Sequence, residues 1–169
     1  MKRMIAAMAL ACAFTLGARA QDVFNEIYHM AEQTANNKAN TIDERKLATF
    51  KMDALTYMKT KTLDGMMAKS MQLADTLSAT TVTILNYQAY ALYQFVNLYV
   101  KQLSKQDTNR GLAAVRKRFR DASLAHPYYH DLDRELVNAY VDNKNYNTPF
   151  SLDTDWVKAL AEIRSKSWD

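Results

Sequence analysis

The chain has 169 residues, of which 22 are Lys or Arg and 18 are Asp or Glu. This near balance of charge argues against a nucleic-acid-binding protein, and the single cysteine excludes a framework of intramolecular disulfides. Only three glycines and two prolines interrupt the chain, and no stretch alternates between apolar and polar residues as a strand does. The composition therefore predicts one helical domain.

Residues 1–20 have the pattern of an export signal. Two basic residues precede an apolar run over Met4–Leu16, and the segment closes on the A-x-A cleavage site Ala18-Arg19-Ala20. We therefore expect residues 21–169 to form a single mature domain, located in the periplasm or outside the cell. A lipoprotein attached through Cys12 is the alternative, but the position three residues before this cysteine lacks the bulky aliphatic side chain that lipidation favours.

Cleavage after residue 20 would change the charge of the protein. It would remove three of the 22 basic residues and no acidic one, leaving 19 basic against 18 acidic residues. A chain so close to neutrality has no electrostatic reason to seek an anionic partner. Cleavage would also remove the only cysteine, so we expect the fold to depend on its core alone.

The first predicted helix covers residues 22–36. Its inward side chains are expected to be Val23, Phe24, Ile27, Tyr28 and Ala31. Thr41 and Glu44 then form a capping box, in which each side chain accepts a hydrogen bond from the backbone N–H of the other. The second helix follows, with a core stripe of Leu47, Phe50, Ala54 and Met58. Gly65 is expected either to kink this helix or to divide it.

The stretch Thr76–Val100 contains no charged residue, and we expect the rest of the chain to pack around it. At helical spacing its apolar stripe is Leu85, Ala89, Leu92, Val96, Tyr99 and Leu103, widened by Ile84, Ala91, Phe95 and Leu98. A loop over Ser78–Thr81 is expected to precede a largely enclosed central helix at residues 82–103. A transmembrane span is the alternative, but the amide side chains near its middle are costly in hydrocarbon.

Three further helices are predicted, at residues 111–125, 132–142 and 154–167. The first of them is expected to bury Leu112, Val115, Phe119 and Ala122. The other two are shorter and are separated by a loop over residues 143–153.

Aspartates and aromatic residues mark the ends of these last helices. We expect Asp131 or Asp133 to serve the N-terminus of the fifth helix and Asp153 to cap the sixth. Phe150 and Trp156 are expected to hold the intervening loop against the body of the protein.

Residues 115–146 resemble part of a tetratricopeptide repeat array. Phe119, Ala122 and Pro127 match the end of one repeat, and Leu136, Ala139, Tyr140 and Tyr146 fit the first helix and turn of the next. The resemblance covers about one repeat and implies stacked helical hairpins, which usually bind proteins or peptides. We therefore predict an all-α fold of about six helices in packed antiparallel hairpins, as a helical bundle or a short array of this kind, around the central helix 82–103.

Two histidines four positions apart, His126 and His130, are candidate metal ligands because acidic residues follow them. Pro127 lies between them at an expected turn, so a plain connection between helices is the preferred interpretation. The second helix is rich in thioethers, namely Met52, Met58, Met66, Met67 and Met71. Such sulfurs can bind Cu(I), but methionine also fills irregular cores. We predict no metal and no other cofactor.

The run Arg116-Lys117-Arg118-Phe119-Arg120 is the densest basic cluster of the chain. On a helix its charged side chains surround Phe119 and face solvent, with acidic residues such as Asp121 as ion-pair partners. Nucleic acid is not expected as a partner of an exported chain with almost no net charge. An anionic surface of the envelope is the alternative partner.

Tyrosine recurs on the central helix and after the fourth helix. Tyr90, Gln94 and Asn97 share the polar face of the central helix, and Tyr128 and Tyr129 lie at the later turn. Tyrosine combines a flat apolar face with a hydroxyl, which suits the binding of sugars and peptides. These five residues are the predicted ligand site if the face is open, and core residues if another helix covers it.

The sequence contains no nucleophile elbow, no H-E-x-x-H and no phosphate-binding glycine loop. Asp131, Asp133, Asp153 and His130 would favour an enzyme only if two of them met in one cleft. We therefore predict an exported, non-enzymatic binding module of a bacterial envelope, with a protein, peptide or glycan as its partner. The alternative is a structural envelope protein whose own helices close the polar face.

Overall fold

The computed structural model describes residues 23–69, 79–141, 143–146 and 148–166, without the side chains of residues 66–69. These residues form six helices and no strand. The helices are α1 (Val23–Asn36), α2 (Ile42–Lys69), α3 (Ala79–Leu103), α4 (Asn109–Ala125), α5 (Arg134–Val137) and α6 (Trp156–Ser165). The all-α prediction is thereby confirmed, while the expected export signal lies outside the described residues.

Helix α3 is the centre of the fold, as predicted. It contacts α1, α2, α4 and α6, and its buried apolar residues are Leu85, Ala89, Ala91, Leu92, Phe95, Val96 and Tyr99. Ile84 was expected in this set, but 42% of its surface is exposed. The uncharged side chains thus bury one broad face of α3 and leave a second face for solvent.

Two details of α3 differ from the prediction. The helix already includes residues 79–81, which were expected in a loop, and Thr83 Oγ1 donates to the carbonyl oxygen of Ala79 in this first turn at 2.8 Å. The helix is also less enclosed than expected, since Tyr87 is 62% exposed and Tyr90 is 42% exposed. An uncharged helix face therefore need not be a covered one.

Helices α1 and α2 form a hairpin whose turn ends in the predicted capping box. The backbone N–H of Thr41 donates to Glu44 Oε2 at 2.8 Å, and the backbone N–H of Glu44 donates to Thr41 Oγ1 at 3.2 Å. Beyond this turn, α2 runs through Gly65 to Lys69 without a break. The glycine therefore does not divide the helix.

The fifth helix is much shorter than predicted. It spans Arg134–Val137, with Asp133 as its N-cap, and turns follow it instead of the helix expected to residue 142. Leu132 is 93% exposed and Leu136 is 43% exposed, whereas Val137, Tyr140 and Val141 are buried, so turns after Val137, and not a longer helix, bring the apolar side chains of this segment into the core. The tetratricopeptide-type hairpin expected over residues 115–146 therefore lacks its second full helix.

An extended segment between α5 and α6, residues 148–155, passes through the interior. Phe150 is fully buried at the centre of an aromatic cluster, with ring centroids 4.9 Å from Tyr99, 5.2 Å from Phe95 and 5.4 Å from Phe50. Trp156 is also fully buried. The prediction that Phe150 and Trp156 hold this loop is confirmed, and the loop proves to be part of the core.

The predicted cap of α6 is wrong by two residues. Asp155 is the N-cap, because its carboxylate accepts from the backbone N–H of Lys158 and from Gln88 Nε2. Asp153 instead accepts from three backbone N–H groups of the turn after α4. Gln88 fixes the residue at which α6 begins, because its Oε1 accepts from the backbone N–H of Trp156 at 2.8 Å. Over the described residues, no helix is both long and apolar enough to traverse a bilayer.

Candidate functional site

A polar, accessible cleft lies beside α3, between α1 and α2, and we call it the α1–α2–α3 cleft. Its volume is about 330 Å³, and its lining residues are Ile27, Met30, Ala31, Gln33, Thr34, Lys51, Tyr93 and Asn97. Cavities of this size accept a small ligand or a single side chain. Asn97, one of the predicted ligand residues, is exposed and lies in this cleft.

Lys51 gives the cleft its charge. Its side chain is half-buried on α2, and its Nζ lies 5.4 Å from the ring centroid of Tyr93, a cation–π contact. Burial lowers the pKa of Lys51 because the ammonium loses hydration. Among the residues that the structure describes, no acidic side chain lines the cleft and no carboxylate forms an ion pair with Lys51. The ammonium therefore faces the cleft without a compensating negative charge.

Helix α1 forms one side of this cleft, and a hydrogen bond that the sequence did not predict holds it there. Asn86 Oδ1 accepts from the backbone N–H of Phe24 at 2.9 Å. This N–H belongs to the first turn of α1, where no partner within the helix is available. Asn86 therefore sets α1 beside α3, and Ile27 and Ala31 follow on the buried side of α1.

The other predicted residues of the polar face have separate environments. Tyr90 is 42% exposed, one turn before Gln94 on the same face of α3. Gln94 Oε1 accepts from Arg164 Nη2 of α6. Of the three predicted residues on α3, only Asn97 lines the cleft, while Gln94 connects two helices.

Tyr128 and Tyr129 lie away from the cleft, in the turn after α4. The Tyr129 hydroxyl donates to the carbonyl oxygen of Met58 at 3.0 Å and pairs with Thr62 Oγ1 at 2.8 Å. Burial raises the pKa of Tyr129 to about 12. Tyr128 packs edge-on against Tyr129, with ring centroids 4.9 Å apart. Tyr129 therefore fastens the turn to α2, and neither tyrosine lines the cleft.

Asp131 and Asp153 meet in one hydrogen-bond network beneath that turn. Asp153 is 2% exposed, and its carboxylate accepts from the backbone N–H groups of Tyr128, Tyr129 and Asp131 at 3.0, 2.7 and 2.9 Å. Asp131 Oδ2 accepts from the Tyr57 hydroxyl at 3.0 Å and lies 2.8 Å from Lys61 Nζ. With donors on both carboxylates, this arrangement favours a structural role over proton transfer.

The two histidines do not face each other. His126 Nε2 lies 2.7 Å from Glu162 Oε2 of α6, whereas His130 is exposed and has a left-handed backbone with φ of 52°. Within the part of the chain that the structure describes, no three His, Cys, Asp or Glu side chains come together as a metal site would require. Met58 is buried in the core, and the side chains of Met66, Met67 and Met71 lie outside the described residues.

Sequence reasoning missed the residues that make the cleft polar, namely Gln33, Thr34, Lys51 and Tyr93. Lys51 is one of several lysines on α2, and neither spacing nor composition distinguishes it from those in solvent. Only its position between α1 and α3 reveals its loss of hydration. Comparison of the chain with protein-family models, with curated proteins and with solved structures finds no match.

Proposed function

We propose that this chain is an exported, non-enzymatic binding protein whose ligand occupies the α1–α2–α3 cleft. The observation that carries the proposal is the Lys51 ammonium, which is partly dehydrated and faces an accessible cleft that no described acidic side chain lines. An acceptor or anionic group of a ligand would restore the interaction that burial has taken from this cation. The exposure of Asn97, which lines the same cleft, supports the same conclusion.

A peptide carboxylate fits the cleft better than a sugar ring does. Lys51 lies over the face of Tyr93, so a sugar could not stack on that face. Asn97 and Thr34 can donate to and accept from a peptide group, and Met30 offers apolar contact. The ligand we propose is therefore a short peptide of the cell envelope with an acidic side chain or a free carboxyl terminus.

The test is a screen of the mature chain by thermal unfolding with acidic peptides, neutral peptides and oligosaccharides. A ligand that binds only the folded state raises the midpoint by mass action. The substitution Lys51→Met should weaken the binding of an acidic peptide by about tenfold or more, because a charge-assisted hydrogen bond is lost. Lys59→Met is the matched control, because Lys59 lies on the same helix but is exposed and outside the cleft.

The Lys51→Met variant should lose affinity for the ligand without losing stability. Removal of a dehydrated, uncompensated cation is expected to leave the free protein as stable as before or more so. A variant that loses binding but keeps its unfolding midpoint would therefore locate the ligand. If no peptide or sugar raises the midpoint, the proposal fails.

The second candidate is a structural envelope protein without a small ligand. It is favoured by the use of polar α3 side chains within the fold, since Asn86 holds α1 and Gln94 holds α6. Under this alternative the polar face joins helices of the same chain, and Lys51→Met would stabilise the protein without any loss of binding.

A further inference from the structure

A second concave surface lies along α4, and we call it the basic groove. Its volume is about 650 Å³, and it is lined by Leu112, Ala113, Arg116, Lys117 and Arg120 of α4 and by Pro149 of the facing segment. None of these residues belongs to the α1–α2–α3 cleft. The groove is therefore a separate site, independent of the function proposed above.

The residues of the groove form one stripe of a rigidly held helix. Positions 109, 112, 113, 116, 117 and 120 all line it, and this spacing places them on one face along roughly 16 Å of helix. The opposite face of α4 buries Val115, Phe119 and Ala122. The basic side chains consequently project from a backbone that is already fixed in position, which reduces the entropy that binding costs.

Arg116 is the uncompensated charge of the groove. It is exposed, and in the described portion of the chain no carboxylate forms an ion pair with it. Burial raises the pKa of Tyr99, and the Arg116 guanidinium beside its hydroxyl offsets part of that rise. Lys117 Nζ, by contrast, lies 2.5 Å from Asp121 Oδ2, and Arg120 Nη1 lies 4.0 Å from Asp121 Oδ1.

The lining selects among anionic ligands. In the part of the chain that the structure describes, no aromatic side chain lines the groove, so nucleic-acid bases would have nothing to stack on, and neither would sugar rings. A membrane surface requires apolar side chains that project outward, whereas Leu112 is half-buried on the wall of a concavity. Arginine forks match carboxylates in shape and charge.

We propose that the basic groove binds an extended acidic peptide segment of a partner protein. Asp or Glu side chains of that segment would pair with Arg116 and Arg120, and an apolar side chain would lie against Leu112 and Pro149. Roughly five extended residues span the length of the groove, at about 3.3 Å for each residue. The groove therefore recognises acidic side chains together with an apolar side chain within one short extended segment.

The experiment measures fluorescence anisotropy of the labelled hexapeptide Glu-Leu-Glu-Glu-Leu-Glu with the purified protein. We expect saturable binding that weakens as salt is added, and at least about tenfold weaker binding of the peptide in which Gln replaces each Glu. Arg116→Gln should weaken the binding of the acidic peptide by about tenfold or more. Arg110→Gln makes the same charge change on the same helix outside the groove, and it should change affinity by less than about twofold.

One further variant and two further probes make the result specific. In a Lys51→Met background, which removes the cation of the α1–α2–α3 cleft, the hexapeptide should still bind saturably, and Arg116→Gln should still weaken its binding by about tenfold or more. Circular dichroism should show that Arg116→Gln, a change at an exposed position, folds as the parent does. The proposal is overturned if the acidic hexapeptide does not bind saturably, or if Arg110→Gln weakens it as much as Arg116→Gln. It is also overturned if a thymidine hexanucleotide or a phosphatidylglycerol vesicle binds as tightly with the same dependence on Arg116.

Discussion

In the C-terminal third of the molecule, one buried carboxylate accepts hydrogen bonds from several backbone N–H groups. Asp153 alone satisfies the backbone N–H groups of Tyr128, Tyr129 and Asp131, which would otherwise be buried without acceptors at a cost of about 1–3 kcal/mol each. The turn after α4 can adopt its path, including the left-handed backbone of His130, because this acceptor lies beneath it. Charge here stabilises the fold through directed hydrogen bonds.

Asp131 is the residue at which this network should respond to pH. Lys61, 2.8 Å away, holds the pKa of Asp131 below its ordinary value together with the backbone N–H of Asp133, although burial acts in the opposite direction. A carboxyl whose pKa is lower in the folded state stabilises the fold above its unfolded pKa of about 4. That contribution is lost as the pH falls through the lower, folded value.

The substitution Asp131→Asn should therefore cost about 1 kcal/mol at neutral pH and less in acid. Urea unfolding of the parent and the variant at neutral pH and near pH 3 measures both differences. Asp107→Asn, a change in the exposed loop before α4, should show no such dependence. An Asp131→Asn effect of equal size at both pH values would contradict the assignment.

At the scale of the helices, pattern was a good guide wherever a helix buries a full face. The stripes of α2, α3 and α4 were predicted because their apolar residues recur at helical spacing, and Phe50, Phe95 and Phe119 are all fully buried. The prediction failed for the length of α5, where Leu132 and Leu136 stay exposed while Tyr140 and Val141 reach the core from the turns that follow the helix. Helix length there depends on tertiary contacts, which spacing along the chain does not contain.

Gly65 tests whether α2 tolerates a residue with a Cβ near its C-terminal end. No described atom lies within 4 Å of a Cβ built at this position, and α2 is continuous through it. Gly65→Ala should therefore stabilise the protein by about 0.5–1 kcal/mol, because alanine loses less backbone entropy on folding.

Gly111 provides the matched comparison on α4. A Cβ there would overlap the side-chain amide of Gln106 and lie 3.2 Å from Thr108 Oγ1, the N-cap oxygen of the helix. Gly111→Ala should consequently gain less stability than Gly65→Ala, or lose some. Urea unfolding of the two variants measures the difference, and a larger gain at Gly111 would show that crowding at the cap does not matter.

At the scale of the whole molecule, the site was harder to predict than the core. A core residue such as Phe95 is identified by its own helix, whereas a cleft residue is defined by what surrounds it. Lys51 becomes distinctive only when α1 and α3 remove its water and place Tyr93 beneath its ammonium. Asn97, which lines the cleft, was predicted as a ligand residue because an uncharged amide on an uncharged helix departs from both core and solvent patterns, and its role in binding stays a prediction.

The aromatic cluster around Phe150 joins α2, α3 and α4 in one core, and we expect these helices to unfold as one cooperative unit. Phe150 comes from an extended segment, yet its ring contacts Phe50 of α2, Phe95 of α3 and Phe119 of α4, with the last centroid 6.5 Å away. Its removal should therefore weaken several helix contacts at once. We expect Phe150→Ala to cost about 3–5 kcal/mol, as for a fully buried aromatic residue.

Cooperativity is what distinguishes this cost from a local one. Unfolding followed by far-UV circular dichroism and by tryptophan fluorescence should give coincident transitions in the parent and in Phe150→Ala, with the same denaturant slope. Phe24→Ala, at a half-buried position on α1, should cost clearly less. If the two probes separate in Phe150→Ala, the segment holds only its own neighbourhood, and the helices have more than one cooperative core.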